Sequence, residues 1–395
     1  MRICLYTETA LPRIGGQEMV IDALARRFQS AGNEVHVLAP RPRGQDYDDS
    51  QFPYPVHRHA PFYSTRRFLG WYARYLLKFL RRHAFDVLHC HSVYPTAYLA
   101  SLVRAELGVP VVVTSHGGDV REGNSRMRKP GVRARHTQGV AAADALIAIS
   151  RYTREGYERL APGAGPIIEI PNGVDVATLA RQVQRPSDLP AGITSGEFLL
   201  SLGRMHPQKG GDVLIKAFAQ SLRNQQSNTQ LVFAGGGPMR NAWEVLAREE
   251  GISNRCHFLG FVTGETKTWL LQNAIATVVP TRQWEAFGLA VIESYAAGRP
   301  VIASDLPGLG DLVIKAQARD AARAGLARQT GIAVPPDDPD ALAKAITKLT
   351  TNRELADQLG RGAKLAAQQY DWPHVAAEHL RLYERLTQSE RVLVA

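Results

Sequence analysis

The stretch Ala276-Thr277-Val278-Val279-Pro280-Thr281-Arg282-Gln283-Trp284-Glu285-Ala286-Phe287-Gly288-Leu289-Ala290-Val291-Ile292-Glu293 decides how this chain is built. Its apolar start, 276–280, reads as a buried strand; after a Phe-Gly turn, Val291, Ile292 and Tyr295 continue as a helix. The same strand–loop–helix unit recurs along the chain. Strand-like runs stand at 2–6, 34–39, 87–90, 111–114, 145–148 and 167–170, then at 198–202, 230–234, 257–259, 276–280 and 300–303. Helix-period segments such as 19–31, 97–107, 210–222 and 239–250 lie between them. Such alternation predicts parallel sheets covered by helices, and its restart near residue 197 predicts two doubly wound α/β domains. The polar, turn-rich stretch Arg185-Pro186-Ser187-Asp188-Leu189-Pro190-Ala191-Gly192 reads as a linker, giving domains at 1–190 and 191–371.

Length agrees: 395 residues exceed one ordinary core, and two domains of about 200 residues are the natural division. With 45% hydrophobic and 21% charged residues the composition is that of a soluble globular protein, and no apolar run approaches the ~20 residues of a membrane span. The first residues read as a strand entering a loop rather than a signal peptide. Three widely separated cysteines, Cys4, Cys90 and Cys256, argue for a reducing compartment without a disulfide framework, and a cytoplasmic location is expected. His89-Cys90-His91 invites a metal, but alternate strand residues face opposite ways, so Cys90 cannot join both histidines; no metal or cofactor is expected. Residues 1–190 hold 25 Lys and Arg against 17 Asp and Glu, which is +8 of the chain's net +10, and 23 of those cations are Arg. An anionic partner for the first half fits this excess, as does a compositional habit of heavy Arg usage.

In doubly wound folds, ligands gather where strands end and helices begin. Glu285 and Glu293 stand eight residues apart, a reach of at most about 12 Å. The span suits a diphosphate-linked sugar gripped at both ends: Glu285 on sugar hydroxyls, Glu293 on ribose hydroxyls, and the N–H groups of Phe287, Gly288 and Leu289 on the diphosphate. An acidic helix cap followed by an incidental Glu is the plainer account. In Gly203-Arg204-Met205-His206-Pro207-Gln208-Lys209-Gly210, Arg204 and Lys209 are placed to neutralise a leaving diphosphate, or are two solvated cations. Gly15-Gly16 before a helix is either a phosphate cradle or a simple turn. His116, after the 111–114 strand, has a sugar-facing reading and a structural one, with Asp119 orienting its ring or holding the loop. Gly260-Phe261-Val262 offers a base-binding wall through its backbone at Val262.

Together, Gly15-Gly16, His116, the Gly-Arg…Lys-Gly loop at 203–210 and the E-x7-E motif of Glu285 and Glu293 resemble the retaining glycosyltransferases of family 4. The resemblance implies the GT-B architecture of two Rossmann-like domains facing a cleft, with Asp371-Trp372-Pro373 opening a last helix, 372–395, that crosses back to the first domain. It implies a reaction moving a hexosyl group from a nucleoside-diphosphate sugar to an acceptor hydroxyl. It assigns the Gly16 backbone, Arg204 and Lys209 to the diphosphate, His116 and Glu285 to the transferred sugar, and Glu293 to the ribose. No Asp-x-Asp motif accompanies these loops, so metal independence is expected.

The acceptor is expected on the basic first half. Over 64–85 an amphipathic helix is expected, with Phe68, Tyr72, Tyr75, Leu76, Phe79 and Leu80 on one side and Arg67, Arg74, Lys78, Arg81 and Arg82 on the other. Such a helix packs on a sheet or lies on an anionic membrane, placing the protein at the membrane's inner face. From Arg121 to Arg135, six cations face one acid, Glu122, which suits a lipid-linked or otherwise anionic saccharide and equally a solvated loop. A GT-B sugar-nucleotide epimerase is the alternative, though it leaves the full E-x7-E and Arg…Lys set unexplained. A basic nucleic-acid-binding protein is the remoter one; no recognition signature supports it, and no nucleic-acid partner is expected.

Overall fold

The computed structural model describes residues 1–42, 44, 47–62, 66–121, 123–223, 227–313 and 329–394. The chain divides into two compact units, Met1–Asn172 with Trp372–Ala395, and Gly173–Asp371.

The first unit is built on seven strands: β1 (Arg2–Tyr6), β2 (Glu34–Pro40), β3 (Val56–His59), β4 (Val87–Cys90), β5 (Val111–Thr114), β6 (Ala145–Ala148) and β7 (Ile167–Glu169). Their order is β3-β2-β1-β4-β5-β6-β7, all parallel. Sheets covered on both faces need apolar residues at successive positions, and Val111, Val112 and Val113 are accordingly all buried. Winding reverses between β1 and β4, where Leu5 sits opposite His89 and Tyr6 opposite Cys90, so the strand ends there form the sheet's switch point. The Gly16–Ser30 helix starts beside it. The closing helix, Trp372–Val394, belongs to this unit and packs on Gly16–Ser30. Phe28 meets Tyr383 edge to face at 5.7 Å, and Tyr383 Oη bonds His89 Nδ1 at 2.6 Å.

The second unit repeats the plan with β8 (Phe198–Leu202), β9 (Gln230–Ala234), β10 (Cys256–Gly260), β11 (Ala276–Val279), β12 (Val301–Ser304) and β13 (Gly331–Val334). The order is β10-β9-β8-β11-β12-β13, again all parallel, with its switch point between β8 and β11. Residues 173–190 lie in this unit. Gln272 Nε2 donates to Leu179 O and Arg181 O at 2.8 Å each, and the Val176–Ala180 helix packs on Leu289–Ala296. The stretch 185–192, expected as a linker, is folded on itself within the same unit, Arg185 Nη2 donating to Leu189 O (3.0 Å) and Pro190 O (2.8 Å). Where the chain enters and leaves the unit, Val174 N donates to Tyr370 O at 2.7 Å.

Other expectations need correction. β3 and β13 escape the sequence: one is written Val-His-Arg-His and the other opens on glycine, so neither stands out as a plain apolar run. The helix expected over 97–107 is broken into Tyr98–Ser101 and Arg104–Leu107, with Val103 outside helical geometry between them. The 64–85 segment is helical over Arg66–His83; residues 64 and 65 and the acid Glu122 lie outside the described residues. Leu69, Tyr72, Leu76, Phe79 and Leu80 are buried in the core of the first unit. Phe68, expected with them, instead shares the exposed face with Trp71, Arg74, Lys78, Arg81 and Arg82.

Candidate functional site

At the switch point of the second unit, loops from β8 and β11 are tied together. Arg282 N donates to Gln208 O at 2.9 Å, Gln208 Nε2 to Trp284 O at 2.7 Å, and the Arg282 guanidinium pairs with Asp212 at 2.7 Å and Asp337 at 2.9 Å. Gly210 makes the approach feasible: its φ is +65°, and a Cβ there would stand 2.0 Å from Pro280 O. The result places Lys209 Nζ on Glu285 Oε2 as an ion pair, with Thr281 Oγ1 donating to the same oxygen at 3.3 Å. Both side chains keep part of their surface open, 31% for Lys209 and 17% for Glu285, so an incoming anion can compete for the ammonium. Arg204 lies exposed on the β8 loop, with no ion pair among the described residues.

Phe287, Gly288 and Leu289 open the Leu289–Ala296 helix, and among the described residues nothing accepts from their N–H groups. Unsatisfied donors at a positive helix end favour an anion. Phe287 is buried against Tyr370, ring centroids 6.0 Å apart, which holds this turn in place. One turn into the helix, Glu293 pairs with Lys267 of the Gly264–Asn273 helix at 2.7 Å. Lys267 went unremarked in the sequence because a lone Lys on a helix carries no signal. Val262, half-buried, follows β10. Gly235 N donates to Gly260 O at 2.6 Å and Met205 N to Gly236 O at 2.8 Å, joining the loops after β8, β9 and β10 into one rim.

In the first unit, Gly15 is the extended residue before the Gly16–Ser30 helix. Gln17 Nε2 ties the helix start to β1 through Thr7 Oγ1 (3.4 Å) and to the end of β4 through His91 O (3.0 Å). Glu18, buried, accepts from Thr9 Oγ1 at 2.6 Å. His116 follows β5 and stays partly exposed; burial pushes its pKa down to about 4, so it is neutral at pH 7. Of the two readings for Asp119, the structure realises the loop-holding one: its carboxylate accepts from Ser115 Oγ and from Val93 N, not from the His116 ring. The ring's partner is His91, whose Nδ1 lies 3.2 Å from His116 Nε2. The sequence held a signal for His91 in its proximity to His89, but that pair drew attention only as metal ligands.

Two descriptions match the chain: Glycosyltransferase Family 4 over residues 14–178 and Glycosyl transferases group 1 over residues 191–366. It is similar to the phosphatidyl-myo-inositol mannosyltransferase of Mycolicibacterium smegmatis, 29% identical over 397 residues that cover 98% of this chain and 94% of that one. Among solved structures it is similar to a sucrose-phosphate synthase from Thermosynechococcus elongatus, with TM-score 0.79, 23% identity and coverage of 98% and 99%. It is also similar to Anabaena HepE in complex with UDP-glucose, with TM-score 0.75, 18% identity and coverage of 97% and 100%. With two parallel α/β sheets of seven and six strands, these matches place the chain in the GT-B fold class. The chain therefore belongs to glycosyltransferase family 4 and is a glycosyltransferase.

Proposed function

We propose that the chain transfers a hexosyl group from a nucleoside-diphosphate sugar to an acceptor hydroxyl with retention of anomeric configuration and without a metal ion. The observation that carries this is the Lys209–Glu285 ion pair at the β8/β11 switch point, with Arg204 on the same loop as Lys209 and the helix start at Phe287–Leu289 directly after Glu285. A diphosphate draws Lys209 away from Glu285 and accepts from the bare N–H groups; the freed carboxylate then takes sugar hydroxyls. Glu293, held by Lys267, is assigned the ribose hydroxyls. The family resemblance assigns His116 to the sugar and the Gly15-Gly16 helix start to the diphosphate.

As the bond from the anomeric carbon to the diphosphate oxygen breaks, negative charge grows on the leaving group, and Arg204, Lys209 and the helix N–H groups stabilise it. The acceptor oxygen bonds to the anomeric carbon on the same face, and its proton passes to the leaving phosphate. No glycosidase-type nucleophile is required. A glycosidase sets two carboxyls across one bond, whereas Glu285 and Glu293 are assigned to opposite ends of the donor. Arg204 and Lys209 supply the positive charge a metal provides elsewhere.

A lipid-linked or anionic saccharide acceptor, of the kind used in envelope or exopolysaccharide assembly, is supported by the first unit. Its Arg66–His83 helix exposes Phe68 (48%) and Trp71 (52%) on one face with Arg74, Lys78, Arg81 and Arg82. Aromatic and cationic side chains together suit the interface of an anionic bilayer. No described helix is long and apolar enough to cross a membrane. The relative from M. smegmatis is, by its name, a transferase to a phospholipid.

Incubation with UDP-, GDP- and ADP-hexoses and a glycolipid acceptor pool, with product configuration read by NMR, tests the proposal. Nucleoside diphosphate released in step with an α-linked product from an α-linked donor is expected, with chelator present. Epimerised free sugar without transfer, or activity lost to chelator and restored by magnesium, contradicts it.

A further inference from the structure

His91 is 1% exposed, and its backbone is pinned on both sides: its N–H donates to Tyr6 O at 2.8 Å and its carbonyl accepts from Gln17 Nε2. The ring is enclosed as well. His89 lies against it at a centroid distance of 4.0 Å, itself fixed by Tyr383 Oη on Nδ1 (2.6 Å) and Thr114 Oγ1 on Nε2 (2.7 Å). The His116 ring lies nearly parallel to that of His91, 17° off plane, with centroids 5.5 Å apart. His91 Nδ1 meets His116 Nε2, while His91 Nε2 is buried with no hydrogen-bond partner.

These facts restrict where the protons sit. With both rings neutral, one nitrogen of the 3.2 Å contact donates and the other accepts. If His116 Nε2 donated, the His91 proton would reside on Nε2, a buried N–H with no acceptor. If His91 Nδ1 donates, the unpartnered atom is a lone pair, the less costly orphan, since buried unpaired N–H groups are the rarer kind. We propose that His91 is a positioning residue: as the Nδ1–H tautomer it donates to His116 Nε2 and so fixes His116 with its own proton on Nδ1. His116, which keeps part of its surface open, then presents an N–H donor rather than a lone pair. A donor of that kind pairs with a hydroxyl oxygen of a bound sugar, which rests on the transferase reading; the proton arrangement itself does not.

The test is ¹⁵N-histidine labelling of the whole chain, with His91 and His116 signals assigned by substitution and each ring nitrogen's shift read as protonated or bare. Expected is Nδ1–H with bare Nε2 on both rings. A protonated Nε2 on His116 overturns the proposal. Asn places its amide where His carries Nδ1, and Gln where His carries Nε2, so His91→Asn is expected within about threefold of native turnover and His91→Gln roughly tenfold or more below it. Equal losses in both variants, each melting like the native protein, also overturn it. If the chain transfers no sugar at all, the shifts still decide the tautomers, so the failure of the inference and that of the transferase reading remain distinct.

Discussion

At the carboxyl end of the first sheet stand His89, His91 and His116, in ring-to-ring contact and held neutral by burial. At the carboxyl end of the second stand Lys209 with Glu285 and Lys267 with Glu293, charged and paired. Both ends are switch points of the same winding, so topology fixed where chemistry gathers and left its kind to the loops. The difference suits a division of labour: charged groups meet the charge that develops on a leaving diphosphate, and neutral donors orient hydroxyls. A hydrogen bond to a charged group is roughly twice as strong as one between neutral groups, so the two ends should respond unequally to truncation.

The largest expected effect is at the charged end. Lys209→Ala should lower turnover by about 10²–10³-fold in steady-state assays; native turnover would remove the contrast. Next is the frame behind the neutral end. Tyr383→Phe leaves His89 Nδ1 buried without its partner and should destabilise the fold by about 1–3 kcal/mol in denaturant titration. Smaller again, His116→Ala should reduce turnover about tenfold, the scale of one neutral hydrogen bond. A loss as large as that of Lys209→Ala would show that His116 meets charge in the transition state.

The subtlest separation is by pH. Ten of the twelve histidines lie in the first unit. Burial lowers the pKa of His57, His59, His116 and His379 there to about 4. Lowered folded pKa values mean the unfolded chain binds more protons between about pH 4 and 6.5. Stability from these groups is thus complete above 6.5 and is lost as pH falls toward 4. Calorimetry from pH 7 to 4 should show the first unit's melting fall before the second's. The reverse order would show that the buried histidines do not govern acid stability.

The sequence displayed most of this fold, because strands buried on both faces are near-continuous apolar runs and leave a strong trace, as Val111–Thr114 does. Val56–His59 lacks that trace: with two histidines and an arginine in four residues it reads as polar loop. Phe68 was misplaced because helix period says which residues share a face, and an aromatic side chain biases the choice of which face is inward. Glu285, Glu293, Arg204 and Lys209 were legible through spacing around a strand–turn–helix. Their partners were not: Lys267 reaches Glu293 from 26 residues away, and His91 reaches His116 from 25, through neighbouring elements that only the folded chain brings together.

The most direct measurement is thermal stability with a panel of UDP-, GDP- and ADP-sugars, each with and without chelator, on the native protein and on Glu293→Ala. A nucleotide sugar at about 100 times its dissociation constant should stabilise the native protein by about 2.7 kcal/mol. One base should stand out, chelator should not matter, and Glu293→Ala should lose the shift. A panel that stabilises nothing, or a shift undiminished in Glu293→Ala, would contradict the assignment of the second unit's switch point to the donor nucleotide.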